Sequence, residues 1–361
     1  MAFRKTGPYI PSAFRNILTD WYTRNARSLP WVGEKDPYKI WLSEILLQQT
    51  RVEQGLPYYL RFIEQYPDVQ VLAAAPDGEV MKLWEGLGYY NRARNMLAAA
   101  RIVANDRDGV FPDTLEGLLA LPGIGPYTGR AIAAFAYGIP VAVNDGNVMR
   151  VLARMAGYHE AVDQPEGKAQ IQAWADQLVA GADPALFNQA MMDFGSQVCK
   201  PAAPLCSDCP ASDICRAYQE QEVSLLPVKS KRIAKKERIM QFLVLQTPDA
   251  VLIRHRAEKD IWQNLHDFPA VEPIKPLSWR QLRSRLPQEL TVLSGQSPSF
   301  TSSMYTQQLT HRTIQGQFLV FDLEDISDIC PPDCQWVPKA ELSKFAYPVM
   351  IKKFLLEFSY F

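Results

Sequence analysis

The chain has 361 residues, of which 47% are hydrophobic and 21% are charged, and its formal net charge is −1. This composition excludes a disordered chain and leaves room for two domains that each have a core. The near-neutral charge by itself gives no support for nucleic-acid binding, so only specific motifs can indicate such a function.

Membrane and export signals are the first features to check along the chain. The N-terminal residues contain no apolar stretch of the kind found in signal peptides. The longest apolar run, AIAAFAYGIPVAV, has thirteen residues and is interrupted by Gly138 and Pro140. It is too short to cross a bilayer. We therefore expect a cytoplasmic protein that has no membrane partner. We also expect a monomer.

Helical periodicity dominates the chain from Pro11 to about Tyr218. Breakers such as YPDV, APDG and RDGVFPD separate the periodic segments. These segments are SAFRNILTDWYTR, YKIWLSEILLQQT, YYLRFIEQY, RARNMLAAARIVAND and EGKAQIQAWADQLVAG. The pattern predicts an all-α domain over residues 1–225.

The composition changes at LPVKSKRIAKKER, residues 226–238, where six basic residues accompany one acidic residue. We interpret this stretch as a linker. RIMQFLVLQTPDAVLIRHR then predicts a hairpin around a Thr-Pro-Asp turn. TVLSG, SMYTQQLTHRTIQGQFLVFDLE and CQWVP predict further strands, whereas SWRQLRSRL and PVMIKKFLLEF predict helices. Residues 239–361 should therefore form a smaller α+β domain.

Four of the six cysteines lie within one short segment, CKPAAPLCSDCPASDIC. They are Cys199, Cys206, Cys209 and Cys215, with gaps of six, two and five residues. Structural zinc sites usually show two short cysteine pairs, and only one Cys-x-x-Cys is present. Four thiolates in one loop suit a [4Fe–4S] cluster, and zinc is the alternative. Cys330 and Cys334 are expected to be plain thiols.

The segment LPGIGPYTGRAIAAF predicts a tight turn between two helices, within residues 113–137. The first helix, in PDTLEGLLAL, is expected to start with an acidic cap. Gly123 and Gly125 allow the backbone to approach a neighbour closely. Free N–H groups at the start of the second helix would then form a phosphate site. A simple helical hairpin with glycine at its corner is the alternative.

The cysteine spacing and this turn together resemble the endonuclease III superfamily of DNA glycosylases. The resemblance implies a helix-hairpin-helix motif and a [4Fe–4S] loop at residues 199–215. Bifunctional members carry a lysine in the turn, which attacks the sugar. Tyr127 stands at the matching position, and a phenol cannot form a Schiff base. This difference indicates a monofunctional glycosylase that leaves an abasic site.

Two carboxylates are candidates for the cleavage of a glycosidic bond. WLSEILLQQT places Glu44 among apolar neighbours, where burial would raise its pKa toward that of a useful acid. VNDGNVMRVLARM places Asp145 just before a helix, where N-capping alone would also explain it. In glycoside hydrolysis one acid protonates the leaving group and one carboxylate steadies the cationic sugar.

The SE-x-x-LQQT string, Tyr127 and DGNV resemble the MutY-type adenine DNA glycosylase family. The resemblance implies that Glu44 protonates N7 of adenine and that Asp145 stabilises the oxocarbenium ion. It also implies that Asn147 and Tyr127 support both groups, and that Tyr89 is a wedge beside the base opposite the target. Core packing is the alternative for Tyr89. Residues implied to contact DNA near the opened base pair are Gln48, Gln49, Thr50, Leu87 and Tyr89.

The second domain resembles the Nudix hydrolase fold around IWQNLHDFPAVE. It lacks the closely spaced glutamates that bind magnesium in Nudix enzymes, so we expect it to recognise 8-oxoguanine rather than to hydrolyse a nucleotide. The family's recognition loop matches QLTHRT, with Thr310 and His311 as the DNA-contacting residues and Leu309 in place of an aromatic residue. Val32 and Gln189 also depart from residues found in some relatives.

The implied partner is double-stranded DNA that contains an 8-oxoguanine:adenine or guanine:adenine mispair. The expected cofactor is one [4Fe–4S] cluster with a structural role. Two other functions stay open. One is an endonuclease III-like pyrimidine glycosylase with lyase activity, against which Tyr127 counts. The other is a catalytically silent sensor of DNA damage, against which Glu44 and Asp145 count.

Overall fold

The computed structural model describes residues 9–230, 236–309, 312–324 and 329–360. The predicted 8-oxoguanine sensors, Thr310 and His311, lie outside the described residues. The chain forms two compact units. The first comprises Met1–Ala73 and Ala98–Lys231, and the second comprises Ala74–Leu97 and Arg232–Phe361.

Between residues 9 and 230 the secondary structure is helical, as the periodicity predicted. The helices are α1 (Ala13–Asn25), α2 (Pro37–Leu47), α3 (Val52–Gln65), α4 (Val69–Ala74), α5 (Asp77–Trp84), α6 (Asn91–Asp106), α7 (Leu115–Leu119), α8 (Pro126–Tyr137), α9 (Gly146–Ala156), α10 (Pro165–Val179), α11 (Pro184–Gln197) and α12 (Arg216–Gln219). A 3₁₀ turn, Ser212–Ile214, precedes α12. Helix α5 and the start of α6 belong to the second unit.

Local sequence explains where these helices begin. Proline occupies the first helical position of α2, α8, α10 and α11, where its missing N–H has no intrahelical partner to lose. Aspartates cap α2, α9 and α11. The expected acidic cap of α7 is wrong: Thr114 is the cap, and its side chain accepts a hydrogen bond from the Gly117 amide at 3.2 Å. Threonine fits because its extended backbone points the hydroxyl into the first turn.

The second unit is built on a mixed sheet. Its described strands are β1 (Lys236–Gln246), β2 (Ala250–His255), β3 (His266–Asp267), β4 (Ala270–Val271), β5 (Phe300–Thr301), β6 (Tyr305–Gln308), β7 (Arg312–Asp322) and β8 (Cys334–Pro338). The main path runs β3-β2-β1-β7-β5, with β8 on β2, β4 on β1 and β6 on β7. Strands β1 and β7 pair in parallel, from Lys236 opposite Arg312 to Gln246 opposite Asp322. The predicted β1–β2 hairpin is confirmed.

Short helices complete the second unit. They are α13 (Trp279–Leu282), 3₁₀ turns at Arg283–Arg285, Gln288–Gly295 and Lys339–Lys344, and α14 (Val349–Glu357). The strand predicted at TVLSG is wrong, because this segment lies within the turn Gln288–Gly295. Leu290 and Leu293 are both buried there, and Val292 is exposed. A three-residue period buries both leucines on one side, which a strand could not do.

The two predicted classes, all-α followed by α+β, are confirmed. In the ranges that the structure describes, no helix has the length and apolarity that crossing a membrane requires.

Candidate active site

A cavity of about 410 Å³ lies in the first unit. Its lining includes Glu44, Tyr127, Asp145 and Asn147, the four residues for which the sequence predicted catalytic roles. They come from α2, from the start of α8 and from the start of α9. The fold therefore brings together groups that are up to about a hundred positions apart in the chain.

Glu44 is a buried acid. Its residue is 7% exposed, and its neighbours Trp41, Ile45 and Leu46 are almost fully buried. Burial is the main cause that raises the pKa of Glu44 from 4.5 to about 7; the charge of Asp145 raises it further, and a hydrogen bond from Tyr127 lowers it. The carboxyl group is therefore partly protonated near neutral pH and can donate a proton to a ligand in the cavity.

Tyr127 connects the turn before α8 to the acid. Its phenol donates a hydrogen bond to Glu44 and lies 3.7 Å from the sulfur of Met192. Burial, followed by the nearby charges of Glu44 and Asp145, raises the pKa of Tyr127 well above its usual value. The phenol stays protonated, so its role here is that of a hydrogen-bond donor.

Asp145 is the N-cap of α9. One carboxylate oxygen accepts hydrogen bonds from the amides of Asn147 and Val148, both at 2.8 Å. The other oxygen accepts one from the Asn147 side chain at 2.8 Å. Capping and cavity lining therefore occur in the same residue. The three hydrogen bonds fix the position of the carboxylate at the start of the helix.

Arg150 fixes the side chain of Asn147 by a hydrogen bond. The sequence predictions did not include this arginine. Its guanidinium donates to the Asn147 side-chain oxygen at 2.8 Å, to the Gly195 carbonyl at 2.7 Å and to the Cys199 carbonyl at 2.7 Å. Arginine only donates and aspartate only accepts, so the Asn147 amide has one permitted orientation. The signal in the sequence was an arginine one turn after Asn147 on an apolar face of α9.

Gly195 of α11 leaves room for this arrangement. A Cβ atom added at Gly195 would lie 2.6 Å from the Cβ atom of Asn147. The close approach of α11 to α9 therefore depends on glycine at this position.

Two departures from the family pattern, Val32 and Gln189, also line the cavity. The Gln189 side-chain nitrogen donates to Asp193 at 3.2 Å. Asp193 is fully buried and accepts a further hydrogen bond from the Arg27 guanidinium at 2.9 Å. Since the amide nitrogen is directed to Asp193, the Gln189 oxygen is the atom that can accept a hydrogen bond from a ligand.

The residues after α2 lie partly in the cavity and partly outside it. Thr50 lines the cavity. Gln48 donates to the hydroxyl of Thr128 on α8 at 3.1 Å, which ties the end of α2 to the start of α8. Gln49 is exposed and has a left-handed backbone, with φ 55°. Of these three predicted DNA contacts, Gln49 is therefore the exposed one, whereas Gln48 and Thr50 are half-buried.

The turn between α7 and α8 is exposed. Gly123 has φ 75°, which favours glycine, whereas Gly125 is extended and begins α8 without a capping side chain. The amides of the first turn of α8 therefore have no side-chain acceptor. Such amides, at the positive end of a helix dipole, form a suitable site for a DNA phosphate.

A second cavity in the first unit is lined by Cys199, Cys206, Cys209 and Cys215 together with apolar side chains. Burial raises the pKa of the Cys209 and Cys215 thiols to about 11. Arg154 donates to the Cys199 sulfur at 3.4 Å and to the Lys200 carbonyl at 2.8 Å.

The donor atoms of this cavity are the sulfurs of four cysteines. Within the described ranges, no three His, Cys, Asp or Glu side chains converge closely enough to hold a single ion. The four thiols instead surround one space, and thiolates around an apolar cavity are the usual ligands of an iron–sulfur cluster.

The predicted wedge, Tyr89, lies in the second unit on a loop with an unusual backbone. Gly86, Gly88 and Tyr89 have φ values of 101°, 70° and 49°. Trp84 donates to the Gly88 carbonyl at 3.0 Å, and Arg92 donates to the same carbonyl at 3.2 Å. Tyr89 is 40% exposed, which does not fit the alternative of core packing.

Leu87, a predicted DNA contact on the same loop, is only 6% exposed. Its carbonyl accepts a hydrogen bond from Arg92 at 3.3 Å. In this structure Leu87 belongs to the core, which does not favour direct contact with DNA.

Comparisons with known proteins find relatives for both parts of the chain. Residues 42–177 match the HhH-GPD superfamily of base excision DNA repair proteins, and residues 240–357 match the NUDIX domain. A solved thermostable thymine-DNA glycosylase is 30% identical, with a TM-score of 0.54 over 58% of this chain and 96% of that chain. A structure of endonuclease III trapped on DNA is 22% identical, with a TM-score of 0.51 over 57% of this chain and 94% of that chain, and shows the fold alone.

Curated relatives extend the similarity over both units. The human adenine DNA glycosylase is 32% identical over 95% of this chain and 73% of its own length. The adenine DNA glycosylase of Buchnera aphidicola subsp. Baizongia pistaciae is 33% identical over 78% of this chain and 80% of its own length. The chain therefore belongs to the adenine DNA glycosylase family, hydrolases of N-glycosyl bonds within the HhH-GPD superfamily of base excision DNA repair proteins.

Proposed function

We propose that this enzyme removes adenine mispaired with 8-oxoguanine or guanine in duplex DNA and leaves an abasic site. The observation that carries the proposal is the pKa of about 7 at the buried carboxyl of Glu44, in a cavity shared with Asp145. A protonated acid at neutral pH is what an adenine leaving group requires, because protonation at N7 weakens the glycosidic bond.

Glu44 and Asp145 then have complementary roles. Glu44 donates its proton to N7, and the developing charge on the sugar is stabilised by the ionised Asp145. The Asn147 side chain and two amides hold Asp145 in place. Water adds to the cationic sugar and completes the hydrolysis. Tyr127 donates to Glu44 throughout and offers no amine for a Schiff base, which supports a monofunctional reaction.

The cysteine cavity supports the assignment of one [4Fe–4S] cluster to Cys199, Cys206, Cys209 and Cys215. When bound, such a cluster would cross-link residues 199–215, and hydrolysis requires no electron transfer from it. The Cys199 carbonyl is also an acceptor for Arg150, so order in this loop supports the position of Asn147.

DNA recognition is assigned to separate surfaces. The exposed turn at Gly123 and Gly125 would bind a phosphate, and the exposed ring of Tyr89 would enter the base stack beside the opposite base. Thr310 and His311 stay the proposed 8-oxoguanine sensors on sequence grounds.

Single-turnover excision on duplexes with 8-oxoguanine:adenine, guanine:adenine and 8-oxoguanine:cytosine tests the proposal. We expect adenine release from the first two, with strand breaks only after alkali treatment. Strand cleavage that matches base release without alkali would instead support the lyase alternative.

Glu44→Gln is the matched variant, because it keeps the size and polarity of the side chain and removes the acid. We expect it to bind the mispaired duplex and to release no adenine. Excision at the native rate by this variant would rule out the proposed acid. Native protein that binds the mispair and never releases adenine would support the silent-sensor alternative.

A further inference from the structure

A charged groove of about 530 Å³ lies in the second unit, where β1 and β7 begin. Its lining consists of six basic and four acidic residues. None of these ten charged residues lines the cavity of the first unit, in which we place the hydrolytic reaction. Lys236, Glu237 and Arg238, which line the groove, are the last residues of the basic stretch 226–238, for which the sequence predicted no role beyond that of a linker.

Three arginines of the groove are neutralised within the protein. Asp260 and Asp267 are partly and fully buried, respectively, whereas Glu272 is exposed, and these pairs hold the three arginines in place. The pairs are Arg238 with Asp260 (2.9 Å) and Glu272 (2.6 Å), and Arg254 (2.9 Å) and Arg256 (2.8 Å) with Asp267.

Three other cations, Lys236, Lys259 and Arg312, are exposed at the rim. In the described part of the chain none of them forms an ion pair. Lys236 and Arg312 stand directly opposite each other in the β1–β7 register. Like charges at opposed positions on one face repel each other, and an anion bound between them would remove the repulsion.

Two rim carboxylates oppose this charge only in part. Glu237 follows Lys236 along β1, so its side chain starts from the other face of the sheet. Glu258 lies beside Lys259 and is exposed. The three rim cations therefore outnumber the two rim carboxylates.

We propose that Lys236, Lys259 and Arg312 bind phosphate groups of the DNA backbone, which rests on the proposed function in DNA repair. Lys259 and Arg312 also line a neighbouring pocket of about 740 Å³ in the same unit, and Tyr89 is part of that lining. A strand whose base stacks on Tyr89 carries its own phosphates past these residues. This continuity favours the DNA backbone over a free nucleotide as the source of the phosphate.

The test is the salt dependence of DNA binding by the full chain with Lys236→Gln, Lys259→Gln and Arg312→Gln combined. The probes are a fully paired duplex and an 8-oxoguanine:adenine duplex. Each phosphate contact contributes about 0.9 to the slope of log K against log salt. We expect the slope for both duplexes to decrease in magnitude by about 2 to 3, with weaker binding at low salt.

A matched control combines Lys275→Gln, Lys344→Gln and Arg280→Gln, which are exposed positions of the same unit outside the groove. It changes the net charge equally, and we expect a much smaller change in slope. The exchange Lys236→Arg, Lys259→Arg and Arg312→Lys keeps the charges and should keep the native slope. A native slope in the groove variant, or an equal loss in the control, would overturn the proposal.

Competition by metal-free ATP distinguishes the source of the phosphate. Tight ATP binding that the groove variant loses, with no change in its DNA slope, would reject the DNA assignment. The fully paired duplex also separates this proposal from the catalytic one, because it contains no substrate. If the native protein releases adenine but the groove variant has the native salt slope, only the phosphate-binding proposal is rejected. If the slopes differ but the native protein releases no adenine, only the catalytic proposal is rejected.

Discussion

At the scale of single residues, Glu44 shows how burial prepares an acid and also costs stability. The pKa of its carboxyl is raised from 4.5 to about 7 in the folded protein. The folded state therefore binds this proton more tightly than the unfolded state does. As pH rises from about 4.5 to about 7, the unfolded state loses the proton first, so the free energy of unfolding falls over this window.

Replacing Glu44 with Gln should flatten this dependence. Between pH 4 and pH 8 the free energy of unfolding of the native protein should fall by about 3 kcal/mol through this group, and that of the variant should not, since a shift of one unit corresponds to about 1.4 kcal/mol. Chemical denaturation at several pH values measures the difference. Glu341→Gln, at an exposed carboxylate, should leave the native profile unchanged. Parallel profiles of native protein and Glu44→Gln would contradict the raised pKa.

The same titration predicts the pH profile of native excision. The proton donor is present below about pH 7 and is lost above it, so the single-turnover rate should fall as pH rises through about 7. Rapid-quench measurements over a pH series check this outcome. A rate that stays level to pH 9 would exclude Glu44 as the acid.

Arg150 donates to the Asn147 side chain, which in turn donates to Asp145, and this chain of hydrogen bonds makes a positioning role for Arg150 testable. We expect Arg150→Lys to lower the single-turnover rate by up to about 100-fold with a much smaller effect on DNA affinity, because a small displacement of a catalytic group is costly. Arg216→Lys, which alters a surface pair with Glu220, is the control. If the role is positional, Arg150→Lys combined with Asn147→Ala should be no slower than Asn147→Ala alone. Fully additive losses would argue for an independent effect.

At the scale of elements, the loop after α5 holds an exposed aromatic ring on a left-handed backbone. Tyr89 has φ 49°, and the left-handed region costs a residue other than glycine about 1 to 2 kcal/mol. The carbonyl of Gly88 accepts hydrogen bonds from the side chains of Trp84 and Arg92. The backbone of Tyr89 is thus strained in the conformation that exposes its ring to solvent.

Tyr89→Gly should therefore be tolerated by the fold. Relief of strain offsets the lost ring contacts, so the free energy of unfolding should stay within about 1 kcal/mol of native. Binding to a mispaired duplex should weaken more than binding to a fully paired one. Tyr89→Phe keeps the ring and should resemble the native protein in both assays. Equal binding losses on the two duplexes would count against the wedge.

At the scale of the whole molecule, the second unit includes a segment from the middle of the helical sequence, Ala74–Leu97. Glu85 of this segment is buried and accepts hydrogen bonds from Lys82 at 3.1 Å, from the Tyr347 amide at 3.0 Å and from Lys352. One carboxylate thus joins α5 to the start of α14.

Removal of this carboxylate should weaken the second unit. Glu85→Ala leaves the buried Tyr347 amide without its acceptor, and such a loss costs about 1 to 3 kcal/mol, whereas Lys82 and Lys352 stay in contact with water. Hydrogen exchange should show the loss in β1, β7 and α14. The exposed pair partner Glu341 is the control, and Glu341→Ala should cost about 1 kcal/mol or less. Unchanged protection after Glu85→Ala would contradict the assigned role.

Much of this architecture could be predicted from the sequence, because local periodicity specifies the helices and the β1–β2 hairpin. The motifs around Glu44, Tyr127 and Asp145 also predicted residues that the fold brings into one cavity. The Thr114 cap and the turn at Leu290 could not be predicted as confidently, since short elements depend on tertiary burial more than on propensity.

The supporting contacts were harder to predict for a different reason. Arg150 acts through Gly195 and Cys199, which lie more than forty positions away along the chain. The packing of Ala74–Leu97 with the C-terminal residues likewise depends on long-range partners such as Tyr347. Periodicity reports which face of an element is buried and not which element covers it.

Glycine in a DNA-binding turn can be required by the packing and backbone of the protein itself or by contact with a bound phosphate. The open surroundings of Gly125 separate these two requirements. A Cβ atom there would meet no atom within 4 Å, and the residue is extended, with φ −87°. An alanine would thus satisfy the protein's own packing and backbone, so any requirement for glycine must come from a bound phosphate. Gly125→Ala should therefore leave the free energy of unfolding of the free protein unchanged. It should lower the affinity for mispaired and fully paired duplexes by the same factor.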